Sequence, residues 1–99
     1  MSTIRYFAYV VTFTGVSTDT FTNTIDKYPR TFANWYRPPL PQTVFIVSPY
    51  PAKFIGGRLR KIMKIENLLI VDADVDRSGW LPKKAWTFLQ NPQPASEED

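Results

Sequence analysis

The sequence predicts one α+β domain: a sheet with two helices on one face and a short C-terminal helix. Three observations carry this. Ile4 to Phe13, Thr43 to Ser48 and Asn67 to Asp76 are rich in β-branched, aromatic and aliphatic residues and read as strands. The segments between them repeat large apolar residues at spacings of three and four, the period of a helix packed on one side. At 99 residues the chain has the length of a single domain. Layering the helices on the sheet would bury every apolar stripe in two layers. The expected domain is residues 1–90, and the polar, acidic stretch 91–99 is expected to be a disordered tail.

In chain order, "IRYFAYVVTF" is the first strand, broken by Gly15 and "STD". Thr18 or Asp19 can cap the helix that follows. Phe21, Ile25, Tyr28, Phe32 and Trp35 then share one helical face. Threonine-rich "TDTFTNT" is poor helix material and Pro29 interrupts the segment, so a kinked helix or two short turns is expected. "RPPLPQ" reads as a rigid connector to the next strand, Thr43 to Ser48. Pro49 or Pro51 sets the start of a second helix. There Ile55, Leu59, Ile62 and Met63 line the apolar side, while Gly56 and Gly57 weaken the helix by about 1 kcal/mol each relative to alanine. They form no phosphate loop, because "FIGGRLRK" lacks a Gly-Lys-Ser/Thr ending. After the third strand and the turn "RSG", Trp80 to Leu89 is a short helix with Pro82 in its first turn.

Composition removes much chemistry. There is no cysteine and no histidine, hence no disulfide, no imidazole base and no ordinary zinc site. The opening segment lacks a secretory pattern, and no apolar run reaches the length of a membrane span. A soluble, cytoplasmic protein with no membrane partner is expected. Net charge is +3 but unevenly spread. Residues 1–64 hold nine Lys/Arg against two Asp, and residues 65–99 hold three against seven Asp/Glu. Lys53, Arg58, Arg60, Lys61 and Lys64 cluster in "KFIGGRLRKIMK" without an acid. Such a cluster is either a solvated helix face or a surface that attracts phosphate backbones or acidic partners.

Asp72, Asp74 and Asp76 form a ladder in "IVDADVDRSGW". A calcium loop counted from Asp72 needs glycine at its sixth position and glutamate at its twelfth, which hold Arg77 and Lys83. A magnesium site is a second reading, but residues two apart on a strand stand about 6.5–7 Å apart, so three ligands do not converge. The third reading is structural: Val71, Ala73 and Val75 face inward and the aspartates outward. No metal or cofactor is expected, with magnesium at Asp72 and Asp74 as the alternative.

The run "TVFIVSPYPAKFIGGRLRKIMKIENLLIVDADVDRSGWLPKKAWTFL", with Leu59 inside its helix, the "NLLIV" strand, then "GW" and "W-x-x-L", resembles the SinR-like branch of small ferredoxin-like proteins. That branch is similar to the CRISPR adaptation subunit and to VapD-type ribonucleases. The resemblance implies a βαββαβ-type domain with an antiparallel sheet, pairing into a homodimer, and a tie to nucleic acid. It gives Trp80 and Trp86 the look of packing residues. The nuclease members of the group resemble one another in an aspartate at the end of the first strand. Here Thr12 and Thr14 occupy that region and the next acid is Asp19. The short, proline-rich connection also suggests that the second strand of that arrangement is reduced or missing.

The leading expectation is therefore a non-catalytic homodimeric protein. It contacts nucleic acid or a protein partner through Lys53, Arg58, Arg60, Lys61 and Lys64. The enzyme alternative is a metal-dependent endonuclease using Asp72 or Asp74. A further alternative is an antitoxin-like or inhibitor module.

Overall fold

The structure, a computed structural model, describes residues 4–73 and 78–95. Its first strand, β1 (Phe7–Thr14), begins three residues later than the sequence suggests, and Ile4 lies outside it, largely exposed. The alternation of β1 decides the packing. Tyr9, Val11 and Phe13 enter one core, and Ala8 and Val10 join a second cluster.

Helix α1 (Thr18–Ile25) is capped by Ser17, whose hydroxyl accepts from the Thr20 amide at 3.1 Å. Its threonines are accommodated by turning back on the helix: Thr24 donates to the Thr20 carbonyl and Thr22 to the Asp19 carbonyl. Phe21 and Ile25 are fully buried. The helix ends there, and the chain turns through Tyr28 and Pro29, with the Phe32 amide donating to the Tyr28 carbonyl. The segment is neither one kinked helix nor two short turns, but an eight-residue helix followed by turns.

Trp35 is not on that helix. It belongs to β2 (Asn34–Tyr36), a three-residue strand that pairs antiparallel with β3 (Thr43–Ser48). The proline-rich segment is therefore a hairpin loop between two strands, not a link from helix to strand. Trp35 sits opposite Ile46 on the α1 side, and its indole donates to Asp26 at 2.7 Å.

Helix α2 (Ala52–Ile62) starts after Pro51 and inserts Ile55 and Leu59, both fully buried. Strand β4 (Asn67–Asp72) pairs antiparallel with β1, and the expected continuation to Asp76 runs into residues 74–77, which lie outside the described residues. Leu68 and Ile70 pack beneath the helices, while Leu69 and Val71 are 60% and 48% exposed. Val71 is thus not an inward residue. Ala73 is buried, and Val75 lies outside the described residues.

The sheet is antiparallel throughout, in the order β2-β3-β1-β4. Helices α1 and α2 cover one face. The third helix, α3 (Lys83–Gln90), packs Ala85 and Leu89 against Ala8, Phe45 and Ala73 on the other face. The arrangement has three layers, where two were expected. The reason lies in the sheet itself: Ala8 and Phe45 alternate with residues of the first core, so both faces carry apolar side chains. Trp86 joins this second cluster, but Trp80 is fully exposed and packs on nothing, contrary to its expected role. Beyond α3, the Ala95 amide donates to the Ala33 carbonyl and Asn34 to the Gln93 carbonyl, which holds residues 93–95 beside the start of β2. Among the described residues no helix is long and apolar enough to cross a membrane.

Candidate functional site

Burial of Ile55 and Leu59 fixes the rotation of α2. At 100° per residue, the direction opposite that pair falls on Gly57. Lys53 and Arg60 lie to one side of it and Phe54 and Lys61 to the other. All four of these flanking side chains are exposed. Lys64, just past the helix, is exposed as well. The helix carries no acid, and among the described residues the ion pair is Arg37 with Asp19, away from all of these cations. Arg60 and Lys61 also lie in the last turn, where the helix dipole favours cations.

Two depressions meet at Lys53 and Gly57. The larger, about 630 Å³, runs between Gly56, Arg60 and the start of β4, where Glu66 and Asn67 form its far wall. The smaller, about 220 Å³, is bounded by Phe54, Arg58 and Lys61. The result is an open cationic face with exposed helix backbone at its centre.

Arg58 borders the smaller depression but is half-buried, unlike the other four cations. Its guanidinium carbon lies 5.0 Å from the centre of the Tyr28 ring, and its Nε is buried without a hydrogen-bond partner. The sequence groups it with the other cations because it is charged. Its place one residue before Leu59 turns it toward the segment after α1.

Sequence reading missed an aromatic pair. Tyr50 and Phe54 are 37% and 46% exposed, with ring centroids 4.5 Å apart. Tyr50 is fixed through the backbone on both sides of its Cα. Its amide donates to the buried Ser48 hydroxyl at 3.1 Å, and its carbonyl accepts from the Tyr9 hydroxyl at 2.9 Å. The available signal was that Phe54 falls off the Ile55–Leu59 side of the helix.

Of the aspartate ladder, the described residues include Asp72. Asp72 ends β4 opposite Tyr9, and Asp74 and Asp76 lie outside the described residues. Burial raises the Tyr9 phenol above the usual 10.0, and the Asp72 charge adds to the rise. Among the described residues no three potential ligands group to hold a metal ion. The Thr14 hydroxyl, in the region where the nuclease pattern has an acid, accepts from the Asn67 side-chain Nδ2 at 2.9 Å.

No protein-family model, curated protein or solved structure matches the chain.

Proposed function

We propose that this chain is a non-catalytic, homodimeric nucleic-acid-binding protein of ferredoxin-like fold, related to the SinR-like branch. The observation that carries the binding role is the outward face of α2. Lys53, Arg60, Lys61 and the adjacent Lys64 are exposed there, and no ion pair within the described residues neutralises them. Clustered, unpaired cations attract phosphate backbones and release their counterions on binding. The element order βαββαβ, followed by α3, and the strand order β2-β3-β1-β4 support the fold assignment. The absence of histidine and cysteine and the threonines at the end of β1 support a binding role over hydrolysis.

Strand β4 supports self-association. It lies at one end of the sheet and exposes Leu69 and Val71. An apolar edge strand of this kind is a template for pairing with a second copy.

Fluorescence anisotropy with labelled RNA and DNA over a salt series tests the binding role. Four cations engaging phosphates give a log–log salt slope of about −3 on single strands. Affinity no better than non-specific, with a flat salt dependence, removes the proposal. A nuclease assay with Mg²⁺ or Mn²⁺ that shows cleavage, lost in Asp72→Asn, overturns the non-catalytic part.

A further inference from the structure

We infer that the ligand of the α2 face is single-stranded nucleic acid, whose backbone crosses the helix at Gly57 while a base stacks on Phe54. This inference rests on the binding role proposed above and deepens it.

Gly57 is the first ground. A Cβ placed there meets no atom within 4 Å, so packing inside the protein does not require glycine. Its backbone is not in the left-handed region, so conformation does not require it either. A glycine inside a helix costs about 1 kcal/mol relative to alanine. Gly57 is thus a departure from the best local residue that the fold leaves unexplained. It also occupies the outermost position of α2, between Lys53 and Lys61 one turn away on each side. A bare backbone ringed by cations lets a phosphodiester approach closely, where a side chain would hold it off.

The aromatic pair is the second ground, and it selects the form of nucleic acid. Phe54 presents an exposed ring beside Lys53, backed by Tyr50. The backbone anchors on Tyr50 to Ser48 and Tyr9 hold that backing in place. Bases in a duplex have their faces occupied by neighbours and offer none to such a platform. Unpaired bases stack on aromatic side chains, and cations beside the platform track the strand. Exposed aromatics interleaved with lysine and arginine therefore favour a single strand over a duplex.

The test compares one sequence as a labelled single strand and as a duplex, by anisotropy, with the wild-type chain, Phe54→Leu and Gly57→Ala. Phe54→Leu keeps an apolar side chain and removes the π-face; thermal melting of each variant verifies folding. The expected result is tighter binding of the single strand by wild type. Phe54→Leu lowers that affinity by about tenfold or more and lowers duplex affinity by less. Gly57→Ala melts at a higher temperature than wild type yet binds the single strand more weakly. Nucleic-acid binding with no single-strand preference, or with unchanged single-strand affinity in either variant, overturns the inference and leaves the proposed function standing. Absence of any nucleic-acid binding by wild type removes both.

Discussion

The guanidinium carbon of Arg58 stands 5.0 Å from the centre of the Tyr28 ring, tying α2 to the turns that follow α1. This contact separates structure from binding among the basic residues. Removing the cation and its stem should cost stability, since a cation over an aromatic face is worth about 0.5–2 kcal/mol and the stem adds packing. Arg58→Ala should therefore lower the melting temperature while leaving the salt slope of nucleic-acid binding intact. Lys61→Ala should do the reverse, melting as wild type and reducing the slope. A slope reduced equally by both variants would place Arg58 in the binding face.

Gly15 turns the chain from β1 toward α1 with φ of +102°, a conformation that L side chains rarely adopt. A Cβ there would lie 2.7 Å from the Glu66 amide nitrogen and 3.0 Å from the Lys64 carbonyl. Both obstacles are backbone, so neither can swing aside. Gly15→Ala should destabilise by at least about 2 kcal/mol. In a domain of this size that is a fall of roughly 10 °C in melting temperature. Little change would mean that the loop before β4 moves freely.

Among the described residues, Gln42 is the non-glycine residue with positive φ, 52°. Its side-chain amide offsets the strain by donating to the Phe13 and Val16 carbonyls at 3.2 and 2.9 Å. Gln42→Ala removes these bonds and keeps the strain, so about 1–2 kcal/mol should be lost in chemical denaturation. Gln42→Gly loses the same bonds but relaxes the backbone, and it should be the more stable of the two variants. The opposite order would show that the strain is negligible.

What the sequence made legible follows how local each signal was. Thr43 to Ser48 is readable because a run of β-branched residues around one aromatic, Phe45, needs no partner to identify it, and all six residues are buried. The face of α2 is readable from Ile55 and Leu59 alone. Strand β2 is not, because three residues carry no periodicity and their pairing to β3 is decided 9 to 13 residues away. Tyr28, Phe32 and Trp35 fitted a helical spacing because all three reach the same core, but they do so from turns and a strand. The aromatic platform was hidden for a related reason: Tyr50 precedes the helix, and its approach to Phe54 depends on the bonds to Ser48 and Tyr9.

Tyr9 makes stability sensitive to alkaline pH. Its phenol titrates above 10.0 in the folded chain because burial, and then the Asp72 charge, disfavour the phenolate. Between the unfolded and folded values, the folded state binds more protons. Stability is thus fully present below the unfolded value and is lost as pH rises through the folded one. Denaturation curves from pH 8 upward should show a decline starting near pH 10. In Tyr9→Phe this part of the decline should disappear, although the variant starts lower for want of the bond to Tyr50. Equal alkaline slopes in the two proteins would assign the loss to other groups.

Strand β4 gives the last prediction. Its inner edge pairs with β1 from Asn67 to Asp72, and its Leu69 and Val71 side chains are 60% and 48% exposed. Water around those two side chains is released if a second copy adds its own β4 to the edge, since the apolar stripes of the two copies then lie on one continuous face. A lysine at Leu69 would stand in the middle of that stripe and repel its counterpart, as natural edge strands do when they resist pairing. Wild-type protein should sediment at twice the chain mass, and Leu69→Lys at the chain mass with an unchanged circular dichroism spectrum. Dimerisation also doubles the number of α2 faces on one particle. Leu69→Lys should therefore bind a long single strand more weakly than wild type, yet bind a short one with the same affinity. A wild-type chain that stays monomeric at high concentration, or a Leu69→Lys variant that remains dimeric, would exclude β4 as the interface.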